Sequence, residues 1–209
     1  MGISTTPASW QPVIIGLMLG LYWLKVLQLV ARTKKTVGRA ANFFPPEKLG
    51  LFLRVIWIPA VLAWIFVPMV APFVTGLPSF LTPIHFPGSD IVAWLAVGVA
   101  AAAFAITWVC WTKMGKSWRM GIDPNEKTEL VYNGPYAYVR HPIYGLSQVL
   151  VLATLAALPS LVMLMIAIIH MALMQWEVRR EDKYLVALHG RAYADYMKKV
   201  GRFVPRIGL

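Results

Sequence analysis

Two stretches of this 209-residue chain hold most of the side chains able to do chemistry. The first closes on Arg140-His141-Pro142, flanked by Tyr136 and Tyr144. A guanidinium beside an imidazole favours an anion. Pro142 can open a helix at its first turn, where backbone N–H groups favour negative charge as well. The competing reading makes Arg140 and His141 interfacial anchors and the tyrosines members of an aromatic belt. The second stretch runs from Glu177 through Glu181 and Asp182 to Tyr193 and Tyr196. Glu177 and Glu181 are four residues apart and share one helical face, where they can accept ammonium or hydroxyl groups of a polar ligand. Here the competing reading is surface pairing of Glu177 with Arg180 and of Glu181 with Arg179, which adds little stability.

The histidines give no metal site. His85 falls in an outer loop, and His189 precedes Gly190 at a helix end. His170 lies inside an apolar run, where a histidine reads either as functional or as a helix–helix hydrogen-bonding residue. No two histidines have ligand spacing, and the single Cys110 excludes both a disulfide and a thiolate zinc site. No metal is expected. No dinucleotide fingerprint, P-loop or nucleophile elbow occurs.

The elements that carry these residues belong to a membrane. The chain is 58% hydrophobic and 14% charged, against roughly 45–50% and about 25% in globular proteins. That excludes a soluble enzyme, a disordered tail and a disulfide scaffold. Apolar runs at Pro12–Val30, Val55–Val74 and Ile91–Trp111 read as spans. The runs Ile143–Leu158 and Leu161–Trp176, split by Pro159-Ser160, are shorter, and each rises only about 24 Å. They form either two spans or a re-entrant hairpin. Two spans are favoured, because the helical pattern continues beyond Trp176. Gly190 then ends or bends that helix. Asp123-Pro124 and Asn133-Gly134-Pro135 are turn signals. The expected fold is all-α and polytopic, with about five transmembrane helices and a cytoplasmic C-terminal helical segment. It is one membrane domain over 1–209, with three spans in 1–111 and a binding core in 112–209.

Charge orients these spans. The residues up to Gln11, the stretch Thr75–Asp90 and the Pro159 turn hold no Lys or Arg. The basic residues, Lys25 apart, fall in loops 32–54 and 112–140 and in the tail from Glu177. The positive-inside rule puts the N-terminus outside and the C-terminus in the cytoplasm. The net charge of +11 is thus a topology signal. It points to the lipid bilayer as partner and not to nucleic acid, for which no recognition motif is present. The first span, with no basic region or cleavage site before it, is expected to be retained.

The stretch Glu129–Tyr144, ELVYNGPYAYVRHPIY, resembles the central signature of the isoprenylcysteine carboxyl methyltransferase family and its phospholipid methyltransferase relatives. Leu130, Val131, Gly134, Tyr136, Arg140, His141, Pro142 and Tyr144 carry that pattern. The tail is similar to the family's second signature through Glu181-Asp182, Leu185, His189-Gly190, Tyr193, Tyr196 and Val200–Pro205. The resemblance covers the chain from Lys116 onward. It implies a membrane methyltransferase using S-adenosylmethionine and a lipophilic methyl acceptor. Leu130, Val131, Tyr136, His141, Pro142 and Tyr144 would line the cofactor pocket, and Glu181 and Asp182 would hold its ammonium or ribose. The cofactor carboxylate would meet Arg140 and His141. The acceptor would enter between helices from the bilayer. Glu177 and Arg140 are the catalytic candidates. In this family, members that methylate a carboxylate commonly carry an Arg where this chain has Glu177. The departure suggests a neutral or cationic acceptor, unless Arg179 or Arg180 swings in. The alternatives are a nicotinamide-dependent reductase of the sterol type and a non-catalytic membrane protein.

Overall fold

The computed structural model describes residues 9–37, 48–120, 122 and 129–206. The turn signal Asp123-Pro124 and the basic residues Arg39 and Lys127 lie outside them. The described residues form helices and their connections, with one isolated parallel bridge between Val139 and Gly201. The helices are α1 (Trp10–Val37), α2 (Lys48–Val70), α3 (Ser89–Met114), α4 (Pro142–Ala157), α5 (Leu161–His189) and α6 (Arg191–Lys199). Four of them, α1, α2, α3 and α5, are long and apolar enough to cross a bilayer, and α4 is a shorter apolar helix. This is the all-α polytopic membrane fold that the composition calls for.

Local chemistry sets the boundaries. Pro142 sits in the first turn of α4, where its missing N–H has no helical partner to lose. Ser160 caps α5 by accepting from the Met163 backbone N–H at 3.4 Å. The helix then runs on without a break past Trp176 to His189, because a change from apolar to charged side chains leaves the backbone ladder intact. Gly190, at φ +57°, ends it and opens α6.

The α4–α5 turn meets the connection between α2 and α3. The Ile84 N–H donates to the Pro159 carbonyl at 2.7 Å, and the Val162 N–H to the Phe80 carbonyl at 3.0 Å. The hairpin tip therefore lies on the face of the molecule where α2 ends and α3 begins. That is the arrangement of two helices crossing the bundle from end to end.

Lipid tails are as apolar as leucine, so association here rests on close packing and interhelical hydrogen bonds. α3 packs most closely on α4. Its buried positions, Ala93, Ala96, Ala100, Ala103, Thr107 and Cys110, step by three and four and keep the backbones near each other. Trp64 of α2 donates to Thr154 of α4 at 2.9 Å. Ser147 of α4 and His170 of α5 are hydrogen-bonded at 3.1 Å, so His170 joins two helices.

Candidate active site

The Arg-His-Pro segment is held by a buried carboxylate. Asp182 of α5, with only 5% of its side chain exposed, takes His141 Nε2 at 2.7 Å and the Tyr193 hydroxyl at 2.7 Å on Oδ1. Arg140 Nη2 and Arg202 Nε reach Oδ2 at 3.3 and 3.2 Å. An ionised carboxylate only accepts, so His141 Nε2 carries the proton of that bond. Backbone bonds reinforce the clamp: Arg140 N–H to the Gly201 carbonyl at 2.8 Å and His141 N–H to that of Arg202 at 3.1 Å. Arg140 Nη1 also donates to the carbonyls of Met197 and Val200. The Tyr196 hydroxyl donates to the Tyr136 carbonyl. The loop before α4 thus closes on one carboxylate together with a distant continuous stretch, the end of α5, α6 and the segment after it.

Above this clamp lies a cavity of about 190 Å³ between the helix ends. It is lined by every catalytic or cofactor-binding candidate from the sequence except Asp182: Arg140, Glu177 and Glu181, together with Leu130, Val131, Tyr136, His141, Pro142 and Tyr144. Asp182 is one position on from Glu181 and points the other way, into the clamp. Glu177 is paired with Arg180 at 3.1 Å, the surface pair anticipated from the spacing, but both are more than three-quarters buried.

The cavity wall holds polar atoms that lack protein partners. Among the described residues these buried atoms include the indole N–H groups of Trp23, Trp57 and Trp111, Tyr136 hydroxyl, Arg140 Nε and Glu181 Oε2. All six residues line the cavity. Buried polar groups are almost always paired, so such a cluster marks a place where a ligand completes the bonding. The set offers several donors and one carboxylate acceptor. It fits S-adenosylmethionine, which presents a carboxylate, ribose hydroxyls, ring nitrogens and an ammonium. Glu181 Oε2 also lies 3.9 Å from His141 Nδ1, at the same end.

The phenols at the clamp are kept neutral. Burial raises the Tyr136 phenol well above the ordinary range. Burial, and then the hydrogen bond to Asp182, do the same for Tyr193. Tyr196 is pushed up to about 12, chiefly by burial.

Sequence reading missed Arg54 and the three tryptophan donors. Arg54 reads as a loop cation, yet it lies six residues inside α2 and lines the cavity. The signal was its register. Gly50, Trp57, Val61, Trp64 and Pro68 are the buried stripe of α2, and Arg54 falls on it.

Comparison with known proteins places this geometry. Residues 94–187 match the isoprenylcysteine carboxyl methyltransferase family. The matched segment contains α3 from Trp94 on, the Arg-His-Pro loop, α4, and α5 as far as Ala187, with Glu181 and Asp182 in it. It leaves out Arg54 and Trp57 of α2 and the Tyr193 and Arg202 half of the clamp. A nickel-cobalt-cadmium resistance protein of Alcaligenes xylosoxydans xylosoxydans is 30% identical over 118 residues, 56% of this chain and 52% of that one. A methanethiol S-methyltransferase of Crocosphaera subtropica is 33% identical over 89 residues, 41% of this chain and 34% of that one. A cobalt-zinc-cadmium resistance protein of Cupriavidus metallidurans is 31% identical over 98 residues, 46% and 45% of the two chains. The matches thus span about a third to a half of these relatives. No group of three or more His, Cys, Asp or Glu that could hold a metal ion occurs among the described residues.

Proposed function

We propose that the protein is a membrane-embedded methyltransferase that takes its methyl group from S-adenosylmethionine and gives it to a lipophilic acceptor at the cytoplasmic face. The observation that carries this reading is the cluster of unpartnered buried polar atoms around one cavity, four of the six from the matched segment 94–187. The methyltransferase among the relatives supports it.

When bound, S-adenosylmethionine supplies an electrophilic methyl carbon on a sulfonium. The protein's part is alignment and the exclusion of water, which is most of what an in-line displacement requires. Glu181 accepts from the cofactor's ammonium or ribose. Arg140 Nε, at the same end, donates to its carboxylate, while the remaining nitrogens of Arg140 stay on the clamp. Asp182 does not touch the ligand in this reading. It fixes the two residues that do, Arg140 and His141. Tyr136 and Tyr144 close the aromatic wall. Glu177, one turn nearer the bilayer than Glu181, faces the acceptor end.

The test is calorimetry on protein purified in detergent, with S-adenosylmethionine and NADPH as separate titrants. S-adenosylmethionine is expected to bind and NADPH not to. A labelled-donor screen of lipid extracts would follow. Binding of NADPH alone would overturn the reading in favour of a reductase, and binding of neither would leave a non-catalytic membrane protein.

A further inference from the structure

A second, smaller opening leads into the acceptor end. It is a crevice of about 40 Å³ between α2 and α5, lined by Leu53, Leu173 and Trp176 among others. Arg54, Trp57, Ile122, Met174 and Glu177 line both it and the main cavity, so the two meet at these five residues. An apolar chain lying between the helices would bring its head to that junction.

The charge at the junction decides which head is accepted. Glu177 is the anion there, and Arg180 neutralises it at 3.1 Å while lying over the Trp176 ring. Arg54 stands across from this pair on the other helix. Its guanidinium lies 4.8 Å from the centre of the Trp57 ring, and its one hydrogen bond among the described residues goes to the Met120 carbonyl at 3.3 Å. A guanidinium carries five donors. Stacking on an aromatic face leaves its edge available for a bidentate contact with an anion. Counting Glu177 alone suggests an acceptor that is not anionic. Counting Arg180 and Arg54 as well reverses the sign.

We propose that Arg54 is the residue that selects the methyl acceptor, by pairing with an anionic head group brought in through the crevice between α2 and α5. The proposal rests on the methyltransferase reading for the reaction but not for the binding preference. The chemistry balances without a base. The anionic atom of the acceptor forms the new bond to the methyl carbon. The carbon–sulfur bond breaks with its electron pair left on sulfur. A neutral methylated product and a neutral thioether result, and no proton has to move. Glu177 then serves to hold Arg180 and to face Arg54, not to take a proton.

The test uses the full chain in nanodiscs of zwitterionic lipid. The probes are tritiated undecanoate, undecanol and undecylamine, with binding read by equilibrium dialysis against empty nanodiscs. The wild type is expected to bind the acid at least tenfold more tightly than the other two. Arg54→Gln should erase that preference, and Arg54→Lys should keep part of it. Circular dichroism and elution as a single species report that all three proteins are folded, and S-adenosylmethionine affinity is measured on the wild type. Tighter binding of the amine or the alcohol by the wild type would overturn the proposal, as would an acid preference that survives in Arg54→Gln. If the wild type shows the acid preference but no affinity for S-adenosylmethionine, the methyltransferase reading fails and the role of Arg54 in binding stands.

Discussion

Successive residues on a helix point about 100° apart, and here Glu181 faces the cavity while Asp182 faces the clamp. Glu181 keeps an unpartnered oxygen turned to the ligand space, while Asp182 is spent on four side chains. The two carboxylates should therefore fail differently. Glu181→Gln is expected to weaken S-adenosylmethionine binding by about 1–3 kcal/mol, the worth of a hydrogen bond to a charged group, with little change in stability. Calorimetry beside a thermal melt checks both halves, and unchanged affinity would remove Glu181 from the cofactor site. Asp182→Ala strands Arg140 and His141 in a buried place. It should cost about 3–5 kcal/mol of stability, the usual penalty for breaking one partner out of a buried ion pair. A loss below about 1 kcal/mol in denaturant unfolding would show that water reaches the clamp.

At the scale of elements, the segment after α6 is what closes the site. A Cβ on Gly201 would stand 1.8 Å from the Val204 carbonyl oxygen, so Gly201→Ala must push apart the turn that accepts from Arg140. Hydrogen exchange should then quicken at the Arg140 and His141 amides while α3 and α5 stay protected. Unaltered protection of those two amides would contradict the clamp. Tyr196 ties α6 to the loop before α4, and its phenol lies higher in the folded state than the ordinary value near 10. A raised phenol lends stability that is whole below pH 10 and fades as pH climbs from about 10 to about 12. The tyrosinate absorbance that disappears in Tyr196→Phe should accordingly rise near pH 12 and not near 10.

These elements were unequally legible in the sequence. Helices α1 to α5 showed in apolar runs, and Pro142 and Gly190 marked two of their ends. The run of α5 past Trp176 as far as Gly190 was legible too, because the helical pattern continues where the charged residues begin. The candidate site showed in the motif residues 129–144 and in Glu177 and Glu181. Arg54 and the indoles of Trp23 and Trp57 stayed hidden, since their neighbours come from helices distant in sequence. A cation near a span end looks the same whether it faces water or a cavity.

At the scale of the molecule, the cavity opens at the ends of α1, α3 and α5 and the starts of α2 and α4, where the described Lys and Arg gather. The positive-inside rule leads to the expectation that this face is the cytoplasmic one. Ser79→Cys, in the exposed connection between α2 and α3, should react with an impermeant maleimide from outside. Lys198→Cys, on exposed α6, should react only after permeabilisation. The reverse pattern would turn the molecule over and move the cofactor site with it. The single native Cys110 is fully buried and gives no background. One further consequence follows from how the clamp is threaded. Arg202 lies 20 residues after Asp182 in the chain. Two of the four donors to Asp182 are translated after it, Tyr193 by 11 residues and Arg202 by 20. The site is therefore finished last in synthesis, and a chain cut short ahead of Arg202 would keep its long apolar helices and lack part of its clamp.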